Sequence, residues 1–227
     1  MNQWTDAGAI ASKERERSFL RSVYGWMFGG LLLSAVSAFW VVSSPIARQL
    51  IFGNRVVPIL LMVATLGLVF FLSMRIQKMS PGVAAGSFFL FAVLNGLALS
   101  SILLMYTASS VAQTFVIAGG MFGAMSVYGF VTRRDLTSWG SFFFMGLIGI
   151  LIAMVVNFFF HSSALSGAIS ILGVFIFLGL TAWDTQRLKK MAHAGGGTNL
   201  AVIGALSLYL DFINLFLFLL RLLGDRR

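Results

Sequence analysis

Two aspartates stand where a carboxylate is expensive to keep. Asp211 lies within Leu208-Tyr209-Leu210-Asp211-Phe212-Ile213-Asn214-Leu215-Phe216, deep in an apolar stretch. Asp184 lies within Thr181-Ala182-Trp183-Asp184-Thr185-Gln186-Arg187-Leu188-Lys189-Lys190, where an apolar stretch gives way to basic residues. A charge at the centre of a membrane helix costs about 2.5–3.5 kcal/mol even on insertion scales, so Asp211 demands a proton, a cation or a hydrogen-bonding partner. For Asp184 two readings are open. Arg187 follows three residues later, the spacing of a solvated ion pair at a helix end; alternatively, the side chain turns inward to meet Asp211. If they meet, two like charges in a medium of low polarity cannot both ionise cheaply, and the pair would share a proton and act as a pH sensor. With both deprotonated, their oxygens suit a hard divalent cation, so calcium is the expected ion and would compete with protons.

The remaining chemistry is sparse. Asp6, Glu14 and Glu16 precede any long apolar stretch, Asp135 sits in a basic connection, and Asp225 lies beyond the last stretch. There is no cysteine, and His161 and His193 are too far apart in sequence to read as a histidine metal site, so no metal beyond calcium is expected. An aspartyl intramembrane protease would need Gly-x-Gly-Asp, but Leu208-Tyr209-Leu210 precedes Asp211 and the one Gly-Asp, Gly224-Asp225, comes too late. Neither a zinc-protease helix motif nor a Walker sequence is present, so the chain is expected not to be an enzyme and to need no cofactor.

The elements that must position these carboxylates follow from composition. Hydrophobic residues make up 59% of the 227 and charged residues only 10%, against about 25% charged in a soluble domain. Apolar stretches fall at 22–44, 57–74, 82–105, 111–132, 139–160, 165–186 and 199–220. Each is near the roughly 20 residues that cross a bilayer core, and backbone satisfaction in lipid makes them helices. The predicted fold is all-α, a polytopic membrane bundle of seven helices, with an N-terminal arm at 1–21, a transmembrane domain at 22–220 and a short basic tail at 221–227. Gly25 and Gly29, Gly82 and Gly86, and Gly119 and Gly123 recur four apart and predict close helix approach. Most of Asn95, Asn157, Asn214, Ser100, Ser101 and Gln113 are expected to form interhelical hydrogen bonds.

The net charge of +9 comes from short basic clusters between apolar stretches, which set membrane orientation and do not indicate nucleic acid. Seven crossings leave eleven Lys and Arg on the N-terminal side and five on the other, which puts the N-terminus in the cytoplasm. If the seventh stretch re-entered, the bias would become fourteen to two, so that topology stays open at this level.

Asn95-Gly96-Leu97-Ala98-Leu99-Ser100-Ser101-Ile102, Trp183-Asp184-Thr185-Gln186 and the run from Leu206 to Arg221 carry a resemblance that covers nearly the whole chain. In these segments the sequence resembles the Bax inhibitor family, the transmembrane Bax-inhibitor-motif proteins, of a bacterial type. The resemblance implies a seven-helix bundle around a central, polar seventh helix, with Asp184 and Asp211 as the pH-sensitive latch and cation-binding pair of a calcium leak. It also implies that an arginine late in the second span engages the pair, for which Arg75 is the candidate. Trp183 stands where the family often has Tyr, and no acidic residue in the second span supports a further outer cation site. The expected surroundings are the bacterial inner membrane, with calcium and protons as ligands. The alternative function is a membrane interaction protein that restrains a membrane-bound protease or modulates protein turnover, acting through residues 1–21. A proton-coupled transporter would use the same carboxylates.

Overall fold

The computed structural model describes the backbone of residues 3–227 and the side chains of residues 13–227 except Gln77. The beginning of the expected arm, including the Asp6 side chain, lies outside the described residues. Eight α-helices follow one another: α1 (Gln3–Ser43), α2 (Pro45–Phe52), α3 (Val56–Arg75), α4 (Pro81–Leu103), α5 (Ala108–Val131), α6 (Thr137–Phe160), α7 (Ser163–His193) and α8 (Thr198–Leu223). All but the short α2 are long and apolar enough to cross a membrane, giving the seven spans and the all-α polytopic bundle expected. Local chemistry sets several starts. Ser44 accepts from the Ala47 amide at 3.2 Å ahead of Pro45 in the first turn of α2. Asn54 accepts from the amides of Val56 and Val57 at 3.0 Å each, and Thr107 caps α5 through Ser110 N at 3.3 Å.

Helix α1 starts well before the apolar stretch at residue 22. From Lys13, its charges Lys13, Glu14, Arg15 and Arg17 are exposed, while Glu16, Phe19, Leu20 and Val23 turn inward. That spacing of three, four and seven is one helical face, so what reads as a charged arm continues the first span. Helix α7 likewise runs through the basic residues to His193, because charges do not break a helix; it stops where Gly195 takes φ 91°.

The chain forms two compact units: Met1–Met105 with Lys189–Leu206, and Tyr106–Leu188 with Ser207–Arg227. In the first, Gly96 of α4 abuts the backbone of Ser34, whose hydroxyl donates to Ala92 O at 2.7 Å and so ties α1 to α4. Asn199 of α8 donates to Ile76 O at 3.0 Å and Met79 O at 2.7 Å, satisfying carbonyls left open where α3 ends. Glu16, only 8% exposed, faces Lys189 Nζ at 3.8 Å and His193 Nε2 at 3.4 Å.

The second unit is built on glycine contacts and phenylalanine rings. A side chain at Gly129 of α5 would run into the Ala182 backbone of α7; Gly140 of α6 lies under Trp183, and Gly179 of α7 against Phe143. Phe212 of α8 meets Phe115 and Phe122 edge-on at 5.2 and 5.5 Å. The end of the chain docks on the start of α5: Thr107 N donates to Asp225 O at 2.9 Å, and the Arg226 guanidinium lies over the Tyr106 ring at 6.0 Å. At the other end of this unit, Gln186 holds the loop before α6, accepting from Leu136 N at 2.9 Å and donating to Arg134 O at 2.8 Å. Within this unit, α8 therefore ends on the Tyr106 side.

Two expectations are corrected. A side chain at Gly25, Gly82, Gly86, Gly119 or Gly123 would meet nothing within 4 Å, and of the paired glycines only one at Gly29 would meet a neighbour, Phe89; close approach occurs at Gly96 and Gly129 instead. Ser100 and Ser101 bond carbonyls of their own helix at 2.6 and 2.8 Å, and Asn214 bonds Leu210 O at 2.8 Å, so these groups do not join helices through those bonds. Many outward-facing side chains are apolar, with Phe158, Phe159 and Phe160 each about three-quarters exposed, as on a lipid-facing surface.

Candidate functional site: a buried carboxylate pair

Helix α8 is buried over 72% of its most apolar window, more than any other span. Apolar residues on all its faces account for this, since a helix apolar all round stays in a protein core. Asp211 sits in that helix at 5% exposure, and Asp184 of α7 at 7%. Both belong to the second unit, and their carboxyl groups face each other within hydrogen-bonding reach. The extended α7 makes this meeting possible. Asp184 is nine residues from His193 and Asp211 thirteen from Thr198, which at 1.5 Å per residue leaves a depth difference of about 6 Å for tilt to absorb. Had α7 ended at Lys190, the difference would be about 11 Å.

Asp184 also meets Arg187, Oδ1 lying 3.7 Å from Nη1, and the Arg187 guanidinium covers the Trp183 ring at 5.4 Å. The two readings of Asp184 thus hold together: one carboxylate bridges a helix-end cation, itself 46% exposed, and a carboxylate deep in the span. Asp211 Oδ2 is buried with no hydrogen-bond partner. Arg75 ends α3 in the first unit with its side chain exposed, and among the described residues the cation on Asp184 is Arg187. Gln186, Glu16 and Asn199 have structural roles that the sequence hardly signals. A polar residue near a span end is ordinarily solvated, and only its partners reveal otherwise.

The described residues contain no group of three or more His, Cys, Asp and Glu able to hold a metal. Two carboxylates offer at most four oxygens, short of the six to eight ligands a tight calcium site uses.

Fold and site together define a polytopic all-α membrane protein with a carboxylate pair buried between its last two helices. The family profile described as "Inhibitor of apoptosis-promoting Bax1" matches residues 16–227. The inner membrane protein YbhL of Escherichia coli strain K12 is 51% identical over 217 residues, covering 93% of each chain. Uncharacterized proteins of Rickettsia prowazekii and Borreliella burgdorferi are each 46% identical over 93% of this chain, covering 91% and 94% of their own lengths. The chain belongs to the Bax inhibitor family.

Proposed function

We propose that this protein is a proton-gated calcium leak of the bacterial inner membrane, a conduit and not an enzyme, with its N-terminus in the cytoplasm. One observation carries the proposal: two buried carboxyl groups, on different helices of one unit, face each other inside a membrane span. A single proton between them binds α7 to α8. Without it, two negative charges at hydrogen-bonding distance in low polarity repel, and either the helices part or a cation enters. Calcium is the cargo that hard oxygen ligands favour. The sign follows directly: acid keeps the pair closed, and rising pH opens it. Arg187, the observed partner of Asp184, tempers the charge on the outer carboxylate, while Arg75 is the second cation proposed to engage the pair when it ionises. The inner-membrane location of YbhL and the excess of cations on the N-terminal side support the placement.

The test is calcium-45 efflux from proteoliposomes across a pH series. Efflux that rises with pH in the native protein and loses that dependence in Asp211→Asn is the expected result. Efflux no faster than from empty vesicles at every pH sinks the proposal.

A further inference from the structure

Several hydroxyls in these helices follow one habit, and Ser126 departs from it. Ser37, Ser43, Thr65, Ser73 and Thr181 each donate to the carbonyl four residues earlier at 2.7–2.8 Å, the ordinary way a helix disposes of a hydroxyl in apolar surroundings. Ser126 is only 7% exposed, yet its Oγ has no partner. It lies on the buried face of α5 between two contacts that flank the carboxylates in sequence. One turn before it, Phe122 meets Phe212, the residue after Asp211, at 5.5 Å. One turn after it, Gly129 abuts Ala182, two residues before Asp184. In the same unit a second buried oxygen is also unpartnered, Asp211 Oδ2. A buried polar atom left unpaired is costly to a fold. Two such atoms in one three-helix seam are relieved together if they address each other.

We infer that Ser126 is the third oxygen of the site, a positioning residue whose hydroxyl donates to Asp211 Oδ2 through one bridging water. The bridge fixes the rotamer of Asp211 so that its other oxygen is presented to Asp184, and it adds a neutral oxygen donor from α5 to the two carboxylates of α7 and α8. This deepens the reading of the pair as the functional site but does not depend on calcium being the ion.

The test is infrared difference spectroscopy of the reconstituted protein at one fixed acidic pH, with the Asp211 band assigned by subtracting the spectrum of Asp211→Asn. Ser126→Ala is expected to move the Asp211 carboxyl stretch to higher frequency, as loss of a donor requires, while Ser126→Thr, which keeps a hydroxyl, leaves it in place. A band that does not move in Ser126→Ala overturns the inference. So does a band that moves equally in both variants, because a general packing disturbance would do that. Calcium-45 efflux at one pH is measured in parallel, with a change of several-fold expected in the Ala variant and recovery in the Thr variant. If native efflux is absent, the leak proposal fails while the infrared result still decides the role of Ser126.

Discussion

Replacing Asp211 by Asn removes one charge from an apolar helix and keeps a hydrogen-bonding side chain, so the bundle should assemble while the pH dependence of efflux flattens. Asp184→Asn should flatten it as well. Because the two carboxyls act as one unit, the double substitution should resemble either single one; simple addition of the two effects in calcium-45 efflux would mean that they work separately. Gln186→Leu makes a different prediction, since it strips the partners from Leu136 N and Arg134 O. A loss of about 1–3 kcal/mol is expected in unfolding from detergent micelles, with the pH profile of efflux kept. Asp211 is legible in the sequence because its surroundings make its cost obvious. Asp184 is legible only as an ambiguity, and the structure shows it using both partners at once. Ser126 was not legible: a serine in an apolar helix normally bonds its own backbone, and nothing in the residue string distinguishes the one that does not.

Helices α3 to α6 lie within a few residues of their apolar stretches, since nothing except helix lets a chain satisfy its backbone in lipid. Where one element touches another was much less legible. Glycines spaced four apart look like contact faces, yet a side chain at Gly119 or Gly123 would meet nothing within 4 Å, whereas one at unpaired Gly129 would run into the backbone of Ala182. Gly129→Val should therefore cost about 1–3 kcal/mol through overpacking, and Gly119→Val far less, as thermal unfolding of the two variants will show. The start of α1 gives a parallel contrast. Glu16→Ala removes the anion from between Lys189 and His193 and should cost up to about 1 kcal/mol, since both cations left behind are partly exposed. Glu14→Ala, on the exposed side of the same turn, should stay within about 0.5 kcal/mol. Counting charges cannot separate these two glutamates; the helical phase set by Phe19, Leu20 and Val23 does.

At the scale of the whole molecule, the membrane class and the number of spans could be read from composition, while re-entry of the last stretch could not be decided by charge alone. α8 is long and apolar enough to cross a membrane, and the docking of Asp225 and Arg226 on the Tyr106–Thr107 segment sets its end beside the start of α5. Reporters fused to the two ends should accordingly report opposite sides, the N-terminal one cytoplasmic; finding both in the cytoplasm would contradict the crossing. The same helix has a consequence for how the protein is made. Chains emerge from the ribosome N-terminus first, so the most deeply buried span is also the last to arrive. Until it does, α5, α6 and α7 wait in the bilayer with the Phe212-facing rings of α5 uncovered and Asp184 lacking its second carboxyl. An unfinished chain therefore carries a polar mark on an apolar surface, the kind of signal by which membrane quality control can tell incomplete molecules from finished ones.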